Sequence, residues 1–445
     1  MMSKAGTVAA TSALHLLEQY REGTSFFWSS PQHTLLAQGE QIRWSAMEVP
    51  EASTRDSTGA VIVTEQKRNE ETQLFIKRME QLMEKARALG QTKPIVVGAI
   101  PFDPIHSSAE LFVPEKIQWA EPLSPDSRAL VEKHPAAVGC EVCEVPAGAV
   151  YQQSVNNVLV DLNQGILHKV VLSRTLHVTS QSFVDTHQLL RNLFRDNTHG
   201  YTFAVPMTKL STSKCNITTS KRNIIEVEKE THRTYIGASP ELLVTRKGSK
   251  VRANPLAGSA ARSEDPAEDR RRAEALLASA KDRHEHAVVI EAVAEALRPL
   301  CKQLSVPAEP SLIQTRTMWH LSTEIHGELA DVNTSSLELA FALHPTPAIC
   351  GTPVQAAREA IREQEPFERG LFTGMVGWCD SDGDGEWAVT IRCAEVEGKT
   401  LKLFAGAGIV AGSTAEAELA ETSAKFRTML LAMGLDSSVS SMKEE

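Results

Sequence analysis

The residues best suited to do chemistry are carboxylates and lysines set against apolar runs. Lys169 opens the run Lys169-Val-Val-Leu-Ser-Arg174, and Glu241 interrupts the run from Ile236 to Val244. A lysine drawn into apolar surroundings can act as a base, and a glutamate treated the same way keeps its proton and can act as an acid. Taken singly, each pattern is more often a surface residue at the edge of an apolar run. Glu285, inside Asp282-Arg-His-Glu-His286, falls on one helical stripe with Val289 and Ala292. A carboxylate on an apolar stripe needs a cationic partner or a metal, because unpaired buried charge is costly. Glu418, Glu421 and Lys425 are spaced three and four apart and share one helix face, as a solvated ion pair or as the rim of a site. Together Glu285 and Glu421 suit Mg²⁺, which takes a few carboxylates plus water and substrate oxygens. His284 and His286 flank Glu285 but point elsewhere on a helix, which disfavours zinc.

Other motifs carry less. Leu343-His-Pro-Thr-Pro-Ala-Ile-Cys-Gly-Thr-Pro353 must be a rigid connector, since its prolines fix φ and cannot donate to a ladder. Asp380-Ser-Asp-Gly-Asp-Gly385 starts like a calcium loop, but its twelfth position is Ile391 rather than a bidentate glutamate, so it reads as a hairpin turn. Gly406-Ala407-Gly408 lacks dinucleotide spacing; it is expected to be a glycine-rich turn where backbone approaches a small ligand. Cys140-Glu-Val-Cys143 has no second pair with which to hold zinc.

The elements that must position these groups follow from periodicity. Helices are predicted over Ala13–Arg21 (capped by Ser12), Glu65–Leu89, Ala149–Gly165, Asp265–Leu300 with a break near Lys281-Asp282, Val354–Gln364 and Thr414–Met433. Strands are predicted over Phe26–Gln38, Gln41–Met47, Pro94–Phe102, Lys169–Arg174, Tyr201–Pro206, Ile236–Val244, Gln303–Pro307, Met318–Ile325, Phe372–Cys379, Trp387–Val396 and Leu401–Val410. Many strands joined by tight turns, with helices in pairs, predict an α+β fold rather than βαβ alternation. Residues 1–147 read as an N-terminal scaffold portion without chemistry, 148–436 as the catalytic region, 207–232 as a polar insertion and 437–445 as a polar tail.

Composition narrows the class. The 445 residues, 42% hydrophobic and 23% charged, describe a globular protein, and the net charge of −10 leaves no basic stripe for nucleic acid. Seven scattered cysteines fit a reducing compartment better than a disulfide framework. No secretory signal or membrane-length apolar run is present, so a soluble, cytoplasmic protein is expected.

Seven motifs occur in order: Lys169-Val-Val-Leu-Ser-Arg174, Gly237-Ala-Ser-Pro-Glu241, Pro255-Leu-Ala-Gly-Ser259, Lys281-Asp-Arg-His-Glu-His286, His344-Pro-Thr-Pro-Ala348, Phe404-Ala-Gly-Ala-Gly-Ile-Val410 and Glu421-Thr-Ser-Ala-Lys425. Together they resemble the chorismate-utilising enzymes, whose anthranilate and aminodeoxychorismate synthase-like fold has large antiparallel sheets with helices packed outside. Within that family they are most similar to siderophore-type isochorismate synthases. The resemblance implies Lys169 as the base that activates water and Glu241 as the acid that protonates the departing C4 hydroxyl of chorismate. It implies Glu285 and Glu421, with Glu418 nearby, as Mg²⁺ ligands. Gly258, Ser259, Arg392, Gly406 and Lys425 would hold the substrate's carboxylates, and His320, Ala348, Ile349 and Phe372 would line the ring pocket. It further implies a monomer without a glutamine amidotransferase subunit, feeding 2,3-dihydroxybenzoate and a catechol siderophore. Ala257 stands where aminodeoxychorismate synthases carry a lysine, and anthranilate synthases lack both the proline pattern and Lys169. Salicylate synthases, which go on to eliminate pyruvate, remain open, as does a menaquinone pathway. A non-catalytic binding subunit is disfavoured because the acid, base and metal residues are all present.

Overall fold

The computed structural model of the chain describes residues 12–44, 65–104, 107–208 and 232–435. The polar insertion apart from its ends, the strand end expected at Met47 and the polar tail lie outside the described residues.

Two large antiparallel sheets face each other. The ten-stranded sheet runs Gly351–Thr352, Lys169–Thr179, Thr400–Ile409, Cys393–Glu397, Arg233–Ser239, Tyr201–Met207, Ser25–Ser29, Thr34–Gln38, Lys116–Ala120, with Glu141–Val145 also paired to Lys169–Thr179. The nine-stranded sheet runs Cys301–Ser305, Ile325–Leu329, Lys250–Asn254, Leu242–Lys247, Gly385–Val389, Met375–Asp380, Ile95–Ile100, Glu110–Val113, Ile42–Arg43. Their facing sides share one core, in which Phe26, Trp28, Phe203 and Tyr235 meet Ile95, Val97, Val376 and Ala388. Alternate residues pack outward against helices: Phe27, Leu36 and Ile236 meet Ala13–Gln19, Thr186–Asp196 and Ala415–Met433. Val96 and Ile100 meet Glu65–Ala88, Ala280–Leu297 and Ser336–Leu343. Both sheets are therefore buried on two faces, which is why their strands read as unbroken apolar runs instead of alternating ones. The fold is α+β with helices outside, as expected. A third, small sheet joins Leu256–Ala261, Met318–Ser322 and Ser311–Gln314.

Local signals set most element ends. Ser12 accepts the His15 amide, Asp185 that of Gln188 and Thr414 that of Ala417; Gly434 stops the last helix at φ 90°. The expected break in the long helix falls at Ser279, which caps Ala280–Leu297 through the Asp282 amide.

Five expectations are corrected. Ile236–Val244 is two strands in different sheets, broken at Pro240-Glu241. Gly406 and Gly408 are not in a turn but inside the strand Thr400–Ile409, paired with Ser173 and Val171. Met318–Ile325 is two strands in different sheets, split at Thr323-Glu324. Trp387–Val396 breaks at Thr390–Arg392, where Arg392 adopts φ 52° and the chain leaves one large sheet for the other. Phe26–Gln38 is a hairpin whose strands pair around Ser30–His33.

Candidate active site

Registry places the chemistry at one end of the ten-stranded sheet. Leu176, Leu403, Ala394 and Ile236 lie in one row across four strands. Lys169, the start of its strand, and Glu241, just past the end of Arg233–Ser239, therefore project from the same sheet end, two strands apart. Between that end, the small sheet and the helices Ala280–Leu297 and Ala415–Met433 lies a cavity with ≈ 650 Å³ of atom-free space, part of it open to solvent.

Glu241, Gly258, Ser259, Glu285, His320, Ala348, Ile349, Phe372, Arg392, Gly406, Glu421 and Lys425 all line this cavity. Residues from six of the seven motifs thus converge on one space, and Val171 brings in the seventh. Lys169 and Glu418 do not face it directly; each sits behind a lining residue.

Glu241 is buried, and the loss of hydration pushes its carboxyl up to about 7, against the opposing pull of the Leu256 amide, Lys169, Lys425 and Arg392. This carboxyl is held ready to give a proton near neutrality. Lys169 has no exposed surface, and its Nζ donates to Glu285 Oε1 at 2.7 Å. This pair lies on Gly408. A Cβ there would come within 2.3 Å of Glu285 Oε1 and 3.1 Å of Lys169 Nζ, so the strand must be bare at this point.

Arg392 is buried beside the acid. Its Nη2 donates to His320 Nε2 at 3.1 Å, while Nη1 has no hydrogen-bond partner. An arginine only donates, so His320 Nε2 accepts; burial, then Arg392 and Lys425, hold this imidazole neutral, well below its usual range. His320 thus aims Arg392, whose second nitrogen is left for a ligand anion. Lys425 pairs with Glu421 Oε1 at 2.6 Å and donates to the Gly406 carbonyl at 2.9 Å, so Gly406 anchors the lysine at the cavity wall. Gly258, at φ 78°, forms the bulge that turns Leu256–Ala261 into the cavity.

The carboxylates at the other side form a charged cluster. Burial raises the Glu418 carboxyl, and Glu421 raises it further, although Lys281 pairs with its Oε1 at 2.9 Å. Burial also acts on Glu421, but Lys425, Ser259 and Lys281 outweigh it and hold the group below its ordinary range. Asp282 is raised by burial and by Glu285 and Glu421 nearby. Glu418 Oε2 is buried, and the Ser413 hydroxyl eases the charge of this carboxyl. Among the described residues no group of three or more potential ligands is arranged to hold a metal. Mg²⁺ needs only one or two protein carboxylates, and Glu421, held below its ordinary range, keeps its negative charge for a cation. Glu285 and Glu421, facing the cavity, fit that ion. His286, bonded to the Ala257 carbonyl and the Thr323 hydroxyl, belongs to the core.

Several functional residues carried no local signal. Lys281 sat inside a motif without a role. Arg369 and Glu365, which lie behind Ile349, look in sequence like surface residues of a helix end.

A family model described as chorismate binding enzyme matches residues 113–220 and 205–434. The chain is 49% identical over 429 residues to isochorismate synthase DhbC of Bacillus subtilis, covering 96% of this chain and 98% of that one. It is 40% identical over 364 residues to isochorismate synthase EntC of Escherichia coli, covering 81% and 86%. Among solved structures, a 2,3-dihydroxybenzoate-specific isochorismate synthase, DhbC from Bacillus anthracis, matches with a TM-score of 0.80 and 48% identity over 95% of this chain and 100% of that one. Anthranilate synthase component I from Streptococcus pneumoniae shares the fold at a TM-score of 0.62 and 16% identity over 96% of this chain and 95% of that one. With the sheet-end cavity and its converging motifs, these likenesses establish that the chain belongs to the chorismate-binding enzyme family, in the branch that holds the isochorismate synthases.

Proposed function

We propose that the protein is an isochorismate synthase that feeds 2,3-dihydroxybenzoate and a catechol siderophore. The observation that carries the reading is Glu241, a buried carboxyl with its proton held up to about 7 in a cavity that also presents Arg392 and Lys425. Chorismate is a dicarboxylate; Arg392 Nη1 and the remaining donors of Lys425 bind its carboxylates, with Gly258 and Ser259 forming the adjoining floor. Ala348, Ile349 and Phe372 pack on the ring. Lys169 takes a proton from water as the hydroxide adds at C2, and Glu285 stabilises the ammonium that results. Glu241 gives its proton to the C4 hydroxyl, which departs as water with the double bonds shifted. One water enters and one leaves, so the reaction is an isomerisation. Glu285 and Glu421, supported by Glu418, would hold Mg²⁺, which when bound offsets the substrate's negative charge. The protein acts as a monomer in the cytoplasm, without a glutamine amidotransferase subunit.

Purified protein given chorismate and Mg²⁺ should yield isochorismate by chromatography, with no dependence on ammonium. Salicylate and pyruvate as main products would select the salicylate synthase reading, and no turnover by folded protein would sink both. The Lys169→Ala variant should lose turnover while still binding Mg²⁺ by calorimetry; surviving activity would dismiss Lys169 as the base.

A further inference from the structure

The cavity wall that carries Ala348 and Ile349 is fastened by a guanidinium that never reaches the cavity. Arg369 is buried, 4% exposed, and pairs with Glu365 through Nε at 2.8 Å and Nη2 at 2.5 Å. Its Nη1 donates to the Ile349 carbonyl at 2.8 Å and the Thr373 hydroxyl at 3.2 Å. Its Nη2 also reaches the Val171 carbonyl at 2.8 Å and the Ser173 hydroxyl at 3.2 Å. Glu365 closes the circuit by accepting the Ser173 amide at 2.8 Å. The guanidinium lies 4.8 Å from the Phe102 ring centroid and 5.8 Å from that of Phe372.

Three segments far apart in the chain meet on this one side chain. Val171 sits two residues beyond Lys169 on the same strand, Ile349 is the ring-facing wall, and Thr373 follows Phe372 at φ 56°. Every nitrogen of the guanidinium is engaged, a pattern that the three donors of a lysine on a flexible stem cannot copy. Since Arg369 and Glu365 form a neutral pair, they add geometry to the site rather than charge.

We propose that Arg369, charge-paired by Glu365, is a positioning residue that sets the gap between the base-bearing strand and the proline-loop wall. The inference rests on the reaction proposed above. Reacting groups must be held to a fraction of an ångström, and a displacement of about 1 Å costs about 100-fold. The carboxylate clamp of Arg392 and Lys425 is elsewhere, so loosening this wall affects the chemical step more than binding.

Cys350, next to Ile349, reports on the wall directly. It is buried, and burial pushes its thiol up to about 11, so it is inert while the wall is closed. The experiment compares wild type, Arg369→Lys and Glu365→Gln by steady-state kinetics and by maleimide labelling read at each cysteine by mass spectrometry. The expected result is a fall in kcat of about 10- to 100-fold with KM changed less than about threefold, and faster labelling of Cys350 but not of the sheet cysteines Cys379 and Cys393. Labelling of all three together in both variants, or kcat within twofold of wild type with Cys350 still protected, would overturn it. If wild type makes no isochorismate, the proposed reaction fails, while selective exposure of Cys350 still decides whether Arg369 holds the wall.

Discussion

One side chain sets the pH behaviour of the site. Glu241 must be protonated to act, and its carboxyl is held up to about 7, so kcat/KM should fall as pH rises through that value. Glu241→Gln should lower kcat by about 10²- to 10⁴-fold. The sign for stability follows from the same shift: between the ordinary value of 4.5 and about 7 the folded chain holds a proton that the unfolded chain has released. Folding stability therefore declines across that window as pH rises. A glutamine lacks this linkage, so Glu241→Gln should melt above wild type at pH 8, with the difference closing near pH 5 in thermal scans. A variant that melts below wild type at both pH values would count against Glu241 as the source of the shift.

At the scale of the element, the decisive feature is a strand that is bare where two side chains cross it. The helix Ala280–Leu297 brings Glu285 and the strand Lys169–Thr179 brings Lys169; both land on Gly408. Gly408→Ala should displace Glu285 by steric overlap and lower kcat/KM by about 100-fold, with circular dichroism unchanged because the strand keeps its pairing. Activity near the wild-type level would show that the pair can move without cost. The helix Ala415–Met433 is locked in turn by buried Arg174, whose Nε and Nη2 reach Thr422 at 2.9 Å and Ser423 at 2.5 Å, within the turn that carries Glu421 and Lys425. Periodicity marked this helix and its acidic face in the sequence, but nothing local marked the arginine one sheet away.

At the scale of the molecule, the N-terminal part is woven into both sheets. Ser25–Ser29 pairs with Tyr201–Met207, and Ile95–Ile100 pairs with Met375–Asp380. Without residues 1–147 the sandwich loses Phe26, Trp28, Ile95 and Val97 from its core and gains two open edges. A fragment spanning 148–436 should therefore fail to show a cooperative urea transition, whereas the full chain should unfold in one. Cooperative unfolding of the fragment would mean that the catalytic part carries its own core.

Much of this was legible in the chain. Apolar runs, caps and glycine stops marked most elements, since those signals act within a few residues. The ordered motifs marked the residues that would meet at a site. Tertiary structure alone decided the pairings: Lys169 on Glu285, 116 residues apart, Arg392 on His320, 72 apart, and Arg369 on Val171, 198 apart. It also turned the chain at Arg392. The physical reason is that a side chain's charge and reach are properties of the residue, whereas its partner is set by sheet register and helix placement. A shift of one residue in strand register would send the same groups to the opposite face of the sheet.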